Sequence, residues 1–99
     1  MYGLIGKMKA RPGQRDALIA ILLDDLESLP GCLSYVAAKD PGDADSIWIT
    51  EVWDNRENHT ASLALPAVKI AIAQAMPLIF AIESPIETEP VGGLGLAGG

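Results

Sequence analysis

Residues 32–53, CLSYVAAKDPGDADSIWITEVW, decide the fold. IWITEVW at 47–53 is rich in β-branched and aromatic residues, as strands are, CLSYVAAK at 32–39 reads as a strand before it, and DPGDADS at 40–46 is the turn between them. The segment is therefore a β-hairpin. Trp48 and Trp53 are five positions apart in the second strand, so they point to opposite faces of the sheet. Only one of them lines any given cavity.

Upstream, YGLIGKMKA at 2–10 sets Tyr2, Leu4 and Met8 on one face and Lys7 and Lys9 on the other, the pattern of a strand with one buried side. RPG at 11–13 breaks it. Residues 14–29 then carry Leu18, Ile21, Leu22, Leu26 and Leu29 at helical spacing, and Pro30 and Gly31 stop that helix. Downstream of the hairpin, Asp54 is the expected cap of a second helix, with Glu57 as its capping-box partner, and that helix is expected to run to about Leu65. Pro66 restarts a helical segment that VKIAIAQAM carries to Pro77. AIESPIETEP at 81–90 reads as a last strand, which Pro85 confines to an edge or bulge. The order strand, helix, strand, strand, helix, strand predicts an α+β fold: a ferredoxin-like split βαβ with an antiparallel sheet and helices on one face. Residues 1–90 form that domain, and VGGLGLAGG at 91–99 is expected to be a flexible glycine-rich tail.

A chain of 99 residues makes one small domain whose core is marginal for a single copy, yet 49% of it is apolar. That excess, with one sheet face left bare, predicts a homodimer. The 7 basic residues are scattered among 13 acidic ones, for a net charge of −6, so nucleic acid is not an expected partner. No apolar run reaches the ~18 residues of a membrane span, no signal-peptide pattern opens the chain, and the single cysteine, Cys32, suits a reducing compartment; a cytoplasmic protein is expected. Asp40, Asp43 and Asp45 lack the spacing of a calcium loop, and no metal site is expected there. Cys32 has no basic neighbour in sequence to make it a thiolate and is expected to be inert.

KARPGQRDAL after the first strand, LPGCLSY into the second, and EVWDNRENHTASLALPAVKIAIAQAMPLI together resemble the antibiotic biosynthesis monooxygenase family, in particular its quinol monooxygenase-like members. The resemblance implies a dimeric α+β barrel with a pocket between sheet and helices, and oxidation of quinol-like or phenolic polycyclic aromatics by molecular oxygen without metal or flavin. Two departures matter. Many relatives carry a histidine where this chain has Ser62, and haem-degrading relatives use a histidine near the present Ile72 and an asparagine near the present Gly6. Haem degradation is therefore not expected.

Cofactor-free oxygenation draws its electrons from the substrate, which must first lose a proton. It needs a positioned base, an apolar pocket and donors for the oxyanion. His59, the only histidine, is the expected catalytic base, since an imidazole titrates near ~6.5. Asn55, His59 and Ser62 fall at i, i+4 and i+7 of one helix, a stripe that faces a pocket or, equally, solvent. Ser62 is expected to orient the imidazole, and Asn58 to donate to a substrate oxygen. Trp53 serves as pocket wall or as core; Tyr35 bonds a quinol oxygen or is buried in a dimer interface; Met76, with Leu78, Ile79 and Phe80, is an apolar lid or plain packing. Few basic residues argue for a neutral or phenolic substrate. A non-catalytic small-molecule-binding dimer, and an isomerase or decarboxylase on the same barrel, are the alternative readings.

Overall fold

In the structure, a computed structural model that describes residues 1–96, the predicted hairpin is the middle of an antiparallel sheet. Strand β1 spans Tyr2–Ala10, β2 Cys32–Lys39, β3 Ser46–Trp53, β4 Ile79–Ile82 and β5 Ile86–Thr88; helices α1 (Arg15–Leu22), α2 (Arg56–Ser62) and α3 (Pro66–Ala75) connect them. The strand order is β2-β3-β1-β4, with β5 also pairing with β1, which is the ferredoxin-like arrangement. The predicted last strand is two short ones. Pro85 lies between them and cannot donate to a ladder, so pairing with β1 lapses there and resumes at Ile86. The end of the predicted tail, 97–99, lies outside the described residues.

The helices cover one face of the sheet, where Ala10, Leu18, Ile47, Ile49 and Ala75 form the buried core. Cross-strand register assigns the opposite face: Val36 pairs with Thr50, Thr50 with Ile5, and Ile5 with Ile86, so these four form one row. Within it Val36 is 51% and Ile86 62% exposed. Among the described residues no helix or strand covers that row.

Three local details shape the helical side. First, α1 ends at Leu22 instead of continuing to 29. Asp24 and Asp25 follow, two carboxylates unfavourable beside the negative end of a helix dipole, and Asp25 turns the chain with φ 54°, a conformation aspartate tolerates. Ser28 Oγ donates to the Asp25 carbonyl at 2.9 Å, and a short 3₁₀ turn over Leu26–Ser28 completes the exit. Second, Asn55, not Asp54, caps α2: its Oδ1 accepts from the Asn58 N–H at 2.8 Å. Asp54 instead accepts from Asn58 Nδ2 at 2.8 Å and donates its N–H to the Gly31 carbonyl, and a Cβ at Gly31 would collide with both Asp54 and Asn58. Third, α2 stops at Ser62, three residues before the predicted end, and Pro66 opens α3. The two helical segments bend by 69° at that break, which swings α3 across the sheet. No single helix among the described residues is long and apolar enough to cross a membrane.

Candidate active site

The early exit of α1 and the bend between α2 and α3 leave a cavity of about 280 Å³ above the sheet. Its floor is Tyr35 of β2 with Glu51 and Trp53 of β3; one wall is Leu22, Leu26 and Leu29, and the other is His59 and Ser62 of α2 with Ile72 of α3. The volume sits at the lower end of the ~300–1,000 Å³ typical of ligand pockets, enough for one or two fused rings, with larger ones extending through the mouth.

Trp53 is 1% exposed, so it serves as core and cavity wall at once. Its indole Nε1 donates to Glu51 Oε1 at 3.0 Å, and its ring meets the His59 imidazole edge-on, with centroids 5.4 Å apart. Tyr2, the cross-strand neighbour of Trp53, also meets the imidazole, with ring centroids 5.6 Å apart. Tyr2 is held in turn: its hydroxyl donates to Glu87 Oε1 at 3.0 Å, Arg56 donates to Glu87 Oε2 at 2.8 Å, and the Arg56 guanidinium lies 4.9 Å from the Tyr2 ring centroid. This knot ties β5 and β1 to the first turn of α2 and so fixes the helix that carries His59.

Ser62 is buried beside the cavity, but its hydroxyl donates to the His59 carbonyl at 2.6 Å, not to the imidazole. A serine three residues on reaches the backbone of its own turn more readily than a neighbouring ring. Tyr35 lies directly across from Glu51 in the β2–β3 ladder. Burial first, then the charge of Glu51 and the neighbouring Cys32, pushes its hydroxyl well above the usual tyrosine range. Burial and Glu51 likewise raise the Cys32 thiol, which keeps it protonated.

Four expected site residues therefore meet at one cavity: His59, Trp53, Tyr35 and Ser62. Asn58 and Met76 do not line it. Asn58 sits one step around α2 with its amide on Asp54, and Met76 is 54% exposed at the end of α3. Glu51 and Tyr2 belong to the site although the sequence did not single them out. Glu51 was within reach, since two residues before Trp53 on a strand means the same face. Ile72 offers the cavity an aliphatic chain. Among the described residues no group of three or more His, Cys, Asp or Glu side chains is placed to hold a metal ion.

A family model described as antibiotic biosynthesis monooxygenase matches residues 1–74. Among solved structures, the chain superposes with a TM-score of 0.91 on a protein of Chloroflexus aurantiacus J-10-fl named as a candidate antibiotic biosynthesis monooxygenase, at 65% identity over 96% of this chain and 97% of that one. A similarly named protein of Deinococcus radiodurans gives a TM-score of 0.77 at 25% identity, over 99% of this chain and 100% of that one. One from Nitrosomonas europaea, 12% identical with a TM-score of 0.80 over 93% of this chain and 100% of that one, shares the fold. Curated proteins gave no match.

Proposed function

Because the chain belongs to the antibiotic biosynthesis monooxygenase family, we propose that it is a homodimeric, cofactor-independent monooxygenase acting on a phenolic or quinol-like aromatic. The observation that carries the reading is the cavity in which Trp53, Tyr35 and His59 converge, largely apolar and with aromatic rings at its base. The substrate ring packs against Trp53 with its reacting edge toward His59. His59 takes a proton as the ring becomes electron-rich enough to reduce oxygen. On an anthrone-type substrate the balance is a CH₂ becoming C=O: the carbon gains one oxygen atom and gives up four electrons, and the second oxygen atom leaves as water. Two copies associate through the bare sheet face, where Val36 and Ile86 are exposed. A cytoplasmic setting fits the free thiol of Cys32.

Oxygen uptake by metal-stripped protein with menadiol and with a hydroxylated anthrone tests this, after correction for spontaneous oxidation. Uptake without hydrogen peroxide, lost by about 100-fold or more in His59→Ala, is the expected result. Peroxide equal to the oxygen consumed would mean an oxidase, and full activity in His59→Ala would remove that residue from the mechanism. A second reading, a binding dimer without turnover, draws support from the way His59 is held: rings flank it, and the nearby hydroxyl of Ser62 is spent on the backbone. Saturable ligand binding with no oxygen uptake would favour it.

A further inference from the structure

We propose that Glu51 is the anchor of the cavity and selects its ligand by charge, taking a ring that carries an uncharged hydroxyl and rejecting the same ring as an anion. The inference rests on the reading of this cavity as the substrate site, and it adds what that substrate must offer.

Glu51 stands in the middle of the cavity floor, paired across the sheet with Tyr35 on one side and Leu4 on the other. The Trp53 indole occupies one of its oxygens at 3.0 Å. A carboxylate has about four acceptor positions, so the group keeps capacity for a second donor. The bond to Trp53 also fixes its orientation, which spares the ligand the entropy of ordering it. A hydroxyl on a ring stacked against Trp53 is the donor that fits: polar at one edge and apolar elsewhere, like the cavity itself.

Charge settles the other half. Besides Glu51 the lining includes Asp24 and Asp25 from the exit of α1; it contains no lysine or arginine, and His59 is its one group able to become cationic, set against three carboxyls. An anion drawn into a largely apolar cavity needs a cationic partner or several donors, and here it would meet carboxylates. Tyr35 is a phenol already in that environment, and its hydroxyl is held protonated by burial and by Glu51. A substrate phenol beside the same carboxylate is held neutral for the same reasons. Its proton therefore leaves only in the reacting step, not on binding.

The test measures binding under argon, where no oxygen chemistry occurs, by equilibrium dialysis of 2-naphthol, 2-naphthoate and 2-methoxynaphthalene. Wild-type protein is expected to bind 2-naphthol at least about tenfold more tightly than either of the others, one lacking the donor and the other carrying the anion. Glu51→Gln, which still offers Trp53 an amide oxygen, should bring the naphthol-to-naphthoate ratio within about threefold, by weakening the first and strengthening the second. Equal binding of the three by wild-type protein, no binding of 2-naphthol, or a ratio that survives in Glu51→Gln would each overturn the proposal. The wild-type arm stands even where the variant fails to fold. Charge selectivity without oxygen uptake would sink the monooxygenase reading and leave Glu51 its role; uptake without selectivity would do the reverse.

Discussion

The two tryptophans of β3 put the same side chain on opposite faces of one sheet, each with its indole on a carboxylate, and otherwise their surroundings differ. Trp53 is 1% exposed under the helices, with its indole on Glu51 and its ring against His59. Trp48 is 40% exposed on the bare face, with its indole on Asp40 at 3.0 Å and the Lys7 ammonium 5.0 Å from its ring centroid. One face is finished by its own chain and encloses a cavity. The other has no helix over it among the described residues, is mostly apolar along the Val36–Thr50–Ile5–Ile86 row and is edged by Lys7 and Lys9. The side a residue faces, more than its type, thus decides whether it is enclosed beneath the helices or left on the open face.

Replacing each tryptophan by alanine should break this symmetry most visibly. Trp53→Ala empties a buried site and is expected to cost about 3–5 kcal/mol, seen as a fall in the urea midpoint at every protein concentration. Trp48→Ala should act through association, so its effect on the midpoint should be largest where the protein is dimeric and shrink as dilution takes both forms to monomer. Equal, concentration-independent losses would mean that the two faces are not the different surfaces described.

A charge placed on each face sharpens the contrast. Val36→Glu puts a carboxylate into the bare row, and in a two-fold interface it appears twice, at the expense of desolvation and mutual repulsion. The dimer Kd should rise by at least about 100-fold, and sedimentation should report a monomer at micromolar concentration. Ile70→Glu, at a residue 58% exposed on α3, should leave the mass unchanged. A dimer that survives Val36→Glu and dissociates with Ile70→Glu would move the interface to the helices.

The alternation of β1 and β3 and the Pro-Gly punctuation made the architecture legible, because periodicity and breakers act locally. The end of α1 was not legible, since Leu26 and Leu29 prolong the apolar stripe, and only the left-handed turn at Asp25 diverts them into a cavity wall. Of the residues expected at the site, His59, Trp53, Tyr35 and Ser62 line one cavity, and it was the family resemblance as much as type and spacing that pointed to them. Asn58 does not line the cavity, because Asp54, one helical turn back, takes its amide. Tyr2 could not be placed beside His59 without the β1–β3 register, which pairs Tyr2 with Trp53. Long-range register is what a single sequence states least directly.

The smallest effect lies at the polar margin of the bare face, where Lys9 Nζ approaches Asp43 Oδ2 at 3.3 Å. The Asp45 N–H, then the Ser46 hydroxyl and Lys9, hold the Asp43 carboxyl down from 3.8 to about 2. A carboxyl whose folded pKa lies below its unfolded one binds fewer protons in the native state, so its stabilisation is present above 3.8 and is lost as the pH falls toward 2. The thermal midpoint of wild-type protein should exceed that of Asp43→Asn at about pH 5, and the gap should close across that window. Salt should narrow the gap only slightly, because backbone and hydroxyl donors, not the exposed lysine, supply most of the shift. A gap that stays constant down to about pH 2 would mean that Asp43 is not ionised against those donors, and that the turn is held instead by Arg15, whose guanidinium donates to the Asp43 carbonyl at 2.8 Å whatever the state of the carboxyl.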